Sequence, residues 1–547
     1  MRKLLFLLSP LLLLADITLE ELQKRPEGRV RNFQIWEYMQ QDINASDAKS
    51  AYALTHKYNN KIFLKYTKKT DDKQVLNQSR CSKMNMKSLL KETNSSCVSH
   101  GLNLKTAINL NNTQRLKLAS VLSKDYPTKS ELILLMNNKS FVLGALKSSP
   151  QNYITLFNSL GTKNRQNYFN VVLPEERMKV LAKSKGFNKA IKYIVTDKKM
   201  HRMQKSLLCV QGGELSAQSY FFLALNALHF KATTKAMSYL EIAQKKAYYQ
   251  NHKDRAVFWK FLISKNKKFL KQLSKSSDIN IYTLYANEVL GLEVKNYFSS
   301  IKGLKDLPTS TNLKDPYVWE KTLKSIRTSN PKQLKELLKK YDKKEDEVLH
   351  AFIYSKMTKY KEHNYILPYK KATKNLSKDD QALLYALARQ ESHFIPSAIS
   401  HSYALGVMQM MPFLIKELGR QKKETPELEE MFNPYKNIAY ASKHIRYLQK
   451  HLYHPLFIAY AYNGGIGFTK RHLLKGSFLK GSYEPYLSME LMSNTESREY
   501  GKKVLANYII YKKILKQELK LIPLLQKLTE PSQTDRFRMK ALASSGS

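Results

Sequence analysis

The chain has 547 residues, more than one compact core accommodates, so two or more folding units are expected. Apolar residues make up 43%, which excludes global disorder, and the scarcity of Gly (18) and Pro (17) favours long helices over a many-stranded sheet protein. Lys and Arg number 92 against 45 Asp and Glu, a formal charge of +47 that calls for anionic partners. The lysines are scattered along presumed helix faces, and no nucleic-acid-binding module is recognisable, so nucleic acid is not an expected partner.

Residues 1–15 read as a signal peptide. Arg2 and Lys3 precede an apolar run, Leu4 to Leu14, broken only by Ser9 and Pro10. The run is shorter than the roughly 20 residues a bilayer crossing needs, and Ala15 offers a cleavage site. No Cys follows it to take a lipid, and no later segment is apolar enough to span a membrane, so a soluble, exported protein is expected. There are three cysteines. In an oxidising compartment Cys81 and Cys97 can close a short loop; three unpaired thiols are the alternative. His451 and His454 are joined by no Cys or carboxylate set and read as surface histidines, so no metal and no cofactor is expected.

From about 17 to 360 one helical segment follows another. Ser216–Lys246 carries apolar residues at helical spacing on two arms separated by the polar turn Lys231–Thr234, a helix hairpin. A second pair starts at Asp254 and Ile279. Stacked hairpins of this size build an α-helical superhelix, assigned here to 16–310. Residues 304–330 are richer in Pro, Thr and Asn and read as a connection, with helices resuming near Pro331; 311–365 is taken as a helical linker. A second unit, 366–525, opens with Ser377 and Asp380 as a capping-box-like pair, and its first helix runs to about Glu391, before Pro396. Residues 526–547 read as a flexible tail.

Glu391 leaves that helix beside Leu384, Leu387 and Ala388 and near the negative end of the helix dipole. Desolvation and the dipole both disfavour its ionised form, so its pKa should be raised. A carboxyl protonated near neutral pH is what a glycosidic leaving oxygen requires. Downstream, in order, come Ser400; Gly406-Val407-Met408-Gln409-Met410-Met411-Pro412; Asn433 and Asn437, read as turn and cap residues; Ala461-Tyr462-Asn463-Gly464-Gly465; and Glu496-Ser497-Arg498-Glu499-Tyr500.

This ordered set resembles the soluble lytic transglycosylases, which carry a goose-type lysozyme-like catalytic domain. Glu391-Ser392 matches the family's E-S motif. Gly406 to Pro412 matches G-L-M-Q-x-M-P with Val407 for Leu, Ala461 to Gly465 matches A-Y-N-A-G with Gly464 for Ala, and Glu496 to Tyr500 matches E-T-R-x-Y with Ser497 for Thr. The resemblance is specific over about 366–520 and looser over the helical region. It implies a mainly α protein, with a long superhelix followed by a lysozyme-like, mostly helical α+β domain. It also implies that Glu391 is catalytic and that Ser400, Gln409, Met411, Ala461, Tyr462 and Glu496 bind substrate. Met408 and Met410 read as core filler.

Most glycosidases pair two carboxylates. None of these motifs positions a second one as a nucleophile, Glu496 being the only nearby candidate. A lone acid suffices if the muramic acid C6 hydroxyl attacks C1 of its own ring, an intramolecular step that spares the entropy of capturing water. The expected activity is therefore lytic cleavage of peptidoglycan glycan strands with 1,6-anhydro products, by a periplasmic monomer whose Lys-rich faces meet stem-peptide carboxylates; other cell-wall enzymes are candidate partners. The alternatives are a muramidase-type hydrolase, with water held near Glu391, and a non-catalytic glycan-binding scaffold.

Overall fold

The computed structural model describes residues 17–137 and 141–545; the expected signal peptide lies outside them. The described chain is mainly helical, and its named strands are one two-residue parallel pair, Tyr297–Phe298 beside His363–Asn364. No helix among the described residues is long and apolar enough to cross a membrane.

The hairpin expected over 216–246 consists of the helices Ala217–His229 and Thr233–Lys246. In the first, every residue from Ser219 to Ala227 is buried, so it is enclosed by neighbours on all sides. The second buries a single stripe, Ala236, Tyr239, Leu240 and Ala243, at the spacing of one helix face. Lys231 adopts a left-handed φ of 58° in the turn, and the Ala232 amide reaches back to the Ala227 carbonyl at 2.9 Å, closing the first helix.

Two readings of this region change. Gln250–Ser264 is followed first by the short helix Lys268–Ser274, whose apolar face is too brief to stand out as a period, and then by Ile281–Leu290. The connection read over 304–330 contains a helix, Pro316–Thr328, with Asp315 accepting from the Tyr317 amide at 2.8 Å as N-cap and Pro316 at the first helical position. Its buried face, Trp319, Thr322 and Ile326, was diluted by the polar residues around it. Cys81 and Cys97 are disulfide-bonded across a separation of 16 residues, which in the chain-entropy view contributes about 3 kcal/mol.

Helix Lys378–Ser392 starts at Ser377, whose hydroxyl accepts from the Asp380 amide at 3.1 Å, and buries every residue from Gln381 to Ala388. It packs against Thr495–Ile514, which also packs against Pro455–Gly464. Gly501 is required there, because a Cβ would stand 2.2 Å from Cε1 of Tyr460.

The helical repeats meet this unit through buried charges. Arg255, from Gln250–Ser264, lies 3.2 Å from Glu499 and 3.5 Å from Glu490, and Lys502 lies 2.9 Å from Glu490 and 3.2 Å from Glu499. Arg498 Nε reaches Glu499 at 3.0 Å, and the Tyr282 hydroxyl donates to Glu490. Burial pushes the Glu490 carboxyl up, but Lys502 and Arg255 outweigh it and hold the group below its ordinary value.

Residues 531–545, read as part of a loose tail, are helical, as Pro531–Thr534 and Arg536–Ser545. Buried Asp535 pairs with Arg538 at 2.7 Å, and Arg538 donates to the Leu528 and Phe478 carbonyls at 3.0 and 2.9 Å. A segment so polar in sequence is held by ionic and backbone bonds rather than by an apolar stripe.

Candidate active site

Glu391 lies in the last turn of Lys378–Ser392, which His393 ends with a left-handed φ of 53°. The residue is half-buried, and its carboxyl is closely surrounded by protein. Burial raises its pKa to about 8; the Tyr500 hydroxyl, donating to Oε1 at 2.7 Å, pulls the value down, and the charge of Glu496 adds to the rise. Burial and the nearby Glu391 charge together hold Tyr462 and Tyr500 protonated. The acid thus has one neutral phenol bonded to it and a second close enough to feel its charge.

Ser392 ties this helix end to the next motif, its hydroxyl donating to the Val407 carbonyl at 2.7 Å. The 405–410 turn is closed by reciprocal bonds between Leu405 and Met410, both 2.9 Å. Gly406 has φ 77°, and a Cβ there would come within 2.3 Å of the Met431 carbonyl oxygen. Asn437 is fully buried and clamps the turn, accepting from the Met408 amide at 2.8 Å and donating to the Leu405 carbonyl at 3.0 Å. Of the two residues read as turn and cap residues, Asn433 caps its helix, Pro434–Gln449, while Asn437 lies inside that helix and clamps a distant turn. Asn is common in both settings, and only the fold brings Asn437 to a turn some thirty residues earlier in the chain. Met408 and Met410 are buried core residues.

The other expected site residues are arranged as follows. The Ser400 hydroxyl accepts from the Ser402 and Ala404 amides at 3.2 and 2.9 Å, holding a turn. That turn is braced by the N-terminal helices, with Asn59 donating to the Tyr403 hydroxyl at 2.8 Å and Arg29 to the Ile399 carbonyl at 3.0 Å. Gln409, at φ 47°, spends its amide NH2 on the Ala398 and Gly406 carbonyls at 3.0 and 2.9 Å, leaving its carbonyl oxygen unspent. Met411 is half-buried at the start of Pro412–Lys422. Ala461 is only 1% exposed, so its side chain packs inward rather than toward a ligand. The Tyr462 hydroxyl donates to the Met408 carbonyl at 2.8 Å. Exposed Glu496 accepts from the Asn463 amide at 3.1 Å. His454, read as a surface residue, is buried; it caps Pro455–Gly464 through the Leu456 amide and meets the Leu524 carbonyl at 2.9 Å. Among the described residues no cluster of His, Cys, Asp and Glu could hold a metal ion.

A half-buried acid under a phenol, beside a turn clamped by a buried Asn, is the local pattern, and residues 368–482 match the family model of the transglycosylase SLT domain. This chain carries an SLT domain. The match stops short of Thr495–Ile514, the helix that supplies Tyr500. No curated protein matches the chain. Among solved structures it is similar to an inactive mutant of the lytic transglycosylase Slt from Pseudomonas aeruginosa, at 14% identity and a TM-score of 0.46 over 89% of this chain and 82% of that one. It is also similar to the 70 kDa soluble lytic transglycosylase from Escherichia coli, at 17% identity and a TM-score of 0.46 over 92% and 82%. A complex of the 70-kDa soluble lytic transglycosylase with bulgecin A gives 16% and 0.47 over 92% and 89%.

The Tyr500 hydrogen bond stabilises ionised Glu391, so Tyr500→Phe should raise the Glu391 pKa above about 8. Activity that needs protonated Glu391 falls as pH rises through that pKa. The alkaline limb of the kcat/KM profile should therefore move to higher pH in Tyr500→Phe, and an unmoved limb would show that the bond does not tune the acid.

Proposed function

We propose that this protein is a peptidoglycan lytic transglycosylase that cleaves the β-1,4 bond between N-acetylmuramic acid and N-acetylglucosamine and forms a 1,6-anhydromuramoyl end. The observation that carries the reading is Glu391: a carboxyl whose pKa is raised to about 8, with no partner carboxylate in hydrogen-bond contact among the described residues. In the first half of the reaction its proton passes to the leaving glycosidic oxygen as the C1–O bond breaks. In the second, the C6 hydroxyl oxygen bonds to C1 and its proton returns to Glu391, so no water is consumed.

Tyr462 supports the positively charged intermediate stage. Its proton is committed to the Met408 carbonyl, which leaves the electron-rich side of its oxygen for the oxocarbenium-like ring. Ser400, Gln409, Met411 and Glu496 would line the groove, with the unspent Gln409 oxygen accepting from a sugar amide. Ala461 would contribute through its backbone alone.

Digestion of purified sacculi followed by muropeptide mass analysis tests this directly. Non-reducing anhydro products are expected. Products one water heavier with reducing muramic acid ends would replace the proposal by a muramidase, in which Glu496 holds the attacking water. Export to the periplasm is part of the same proposal. The disulfide supports it, since such bonds persist in oxidising compartments. Cell fractionation should recover the protein outside the cytoplasm, and a cytoplasmic pool with reduced Cys81 and Cys97 would refute it.

A further inference from the structure

A line of aromatic rings leaves the active site along the surface. Tyr462, beside Glu391, lies 5.7 Å ring to ring from His444. His444 is followed by Tyr447 at 6.2 Å, nearly parallel at 20°, and Tyr447 by His451 at 5.4 Å. His451 stacks on Phe537 at 5.7 Å and 8°, and the Lys470 ammonium lies 5.6 Å above Phe537. Tyr447 is 47% exposed, while His444, His451 and Phe537 are each half-buried, so the row presents ring surface to solvent on a firm base.

The row is built, not incidental. His444 and Tyr447 project from the outer face of Pro434–Gln449, the helix whose Asn437 clamps the catalytic turn. Phe537 is delivered by the C-terminal segment. The Arg536 amide donates to the His451 carbonyl at 2.9 Å, the Tyr453 amide donates to the Thr534 carbonyl at 2.8 Å, and the buried Asp535–Arg538 pair anchors the turn between them. Burial lowers the His444 pKa to about 4, so its ring is neutral at neutral pH and packs as an aromatic surface.

We infer that His444, Tyr447, His451 and Phe537 form a glycan track, against which sugar rings of the strand outside the cleavage position pack. The inference rests on the peptidoglycan reading above. A β-1,4-linked strand presents flat, mostly C–H pyranose faces, and rings in file offer those faces apolar area without demanding any one substituent. The occupant is the strand that reaches Glu391, because the file begins at Tyr462 and is continuous with the site. Beyond aligning the bond to be cut, such a track lets the protein discriminate long strands from short ones.

The test is binding in a Glu391→Gln background, so that no strand is consumed. A ladder of β-1,4-linked N-acetylhexosamine oligomers is titrated, the shortest just filling the groove beside residue 391. Affinity should climb with length, and Tyr447→Ala and Phe537→Ala should each remove about 10-fold of the gain for long oligomers, the effect of losing one aromatic platform. Tyr447→Phe keeps the ring and should keep the gain. Tyr248→Ala, at an 87% exposed tyrosine in the repeats, should not change it. Length-dependent affinity that survives Tyr447→Ala combined with Phe537→Ala would overturn the track while leaving the proposed reaction standing. Failure of every oligomer to bind would bring down the glycan reading, and the track with it.

Discussion

Glu391→Gln should lower the rate of sacculus lysis by about 10³-fold while leaving the fold and strand binding in place, within the 10² to 10⁴ that a positioned general acid contributes. The substitution is nearly isosteric, and the Gln carbonyl can still accept from the Tyr500 hydroxyl, so the packing around the helix end need not change. What it removes is the proton. With a pKa of about 8 the wild-type carboxyl is mostly protonated at pH 7, ready to donate, and its conjugate base is then strong enough to take back the C6 hydroxyl proton. Lysis should accordingly fall as pH rises through about 8 in the wild type and show no such limb in the residual activity of Glu391→Gln. Turbidity of purified sacculi across a pH series measures both. Lysis within about tenfold of wild type would remove Glu391 from the acid role.

Much of this site is legible in the sequence because its parts are local. The end of the Lys378–Ser392 helix follows from Pro396, and the raised pKa follows from Leu384, Leu387 and Ala388 lying on the same helix face. The hairpin over 216–246 is legible for a similar reason, since its apolar residues repeat at helical spacing and its turn is polar. What escapes is set by contacts distant in sequence. The Tyr500 bond to Glu391 spans 109 residues, and the motif that ends on Tyr500 does not say that its hydroxyl meets that carboxyl until the two helices are packed. Asn437 has the sequence context of a helix start, yet its amide is spent on the 405–410 turn. Glu490 sits in a stretch of Ser, Met and Leu with nothing to mark it as a buried ion partner. The C-terminal segment looks loose because its order comes from one buried ion pair and from carbonyl contacts, neither of which has a period to detect.

Glu490→Ala should destabilise the protein by about 3–5 kcal/mol, the cost of breaking a buried ion pair from one side. Glu490 and Glu499 face three cations, Arg255, Arg498 and Lys502, and Glu490 is 2% exposed. Without Glu490, Lys502 keeps only Glu499 as an ionic partner, and the Tyr282 hydroxyl, which bonds Glu490, loses its acceptor. The stranded charges are desolvated, so the loss exceeds the net worth of the intact cluster. The effect should also reach the chemistry. Glu499 precedes Tyr500 on the same helix, and Arg255 holds that helix against the repeats, so loosening the cluster should let the Tyr500 hydroxyl drift from Glu391. The alkaline limb of the pH profile should then shift in the same direction as in Tyr500→Phe. Denaturant unfolding reads the first effect and the kcat/KM profile the second. A variant as stable as the wild type would show that the cations find other partners, and a destabilised variant with an unmoved limb would confine the cluster to holding the two parts of the chain together.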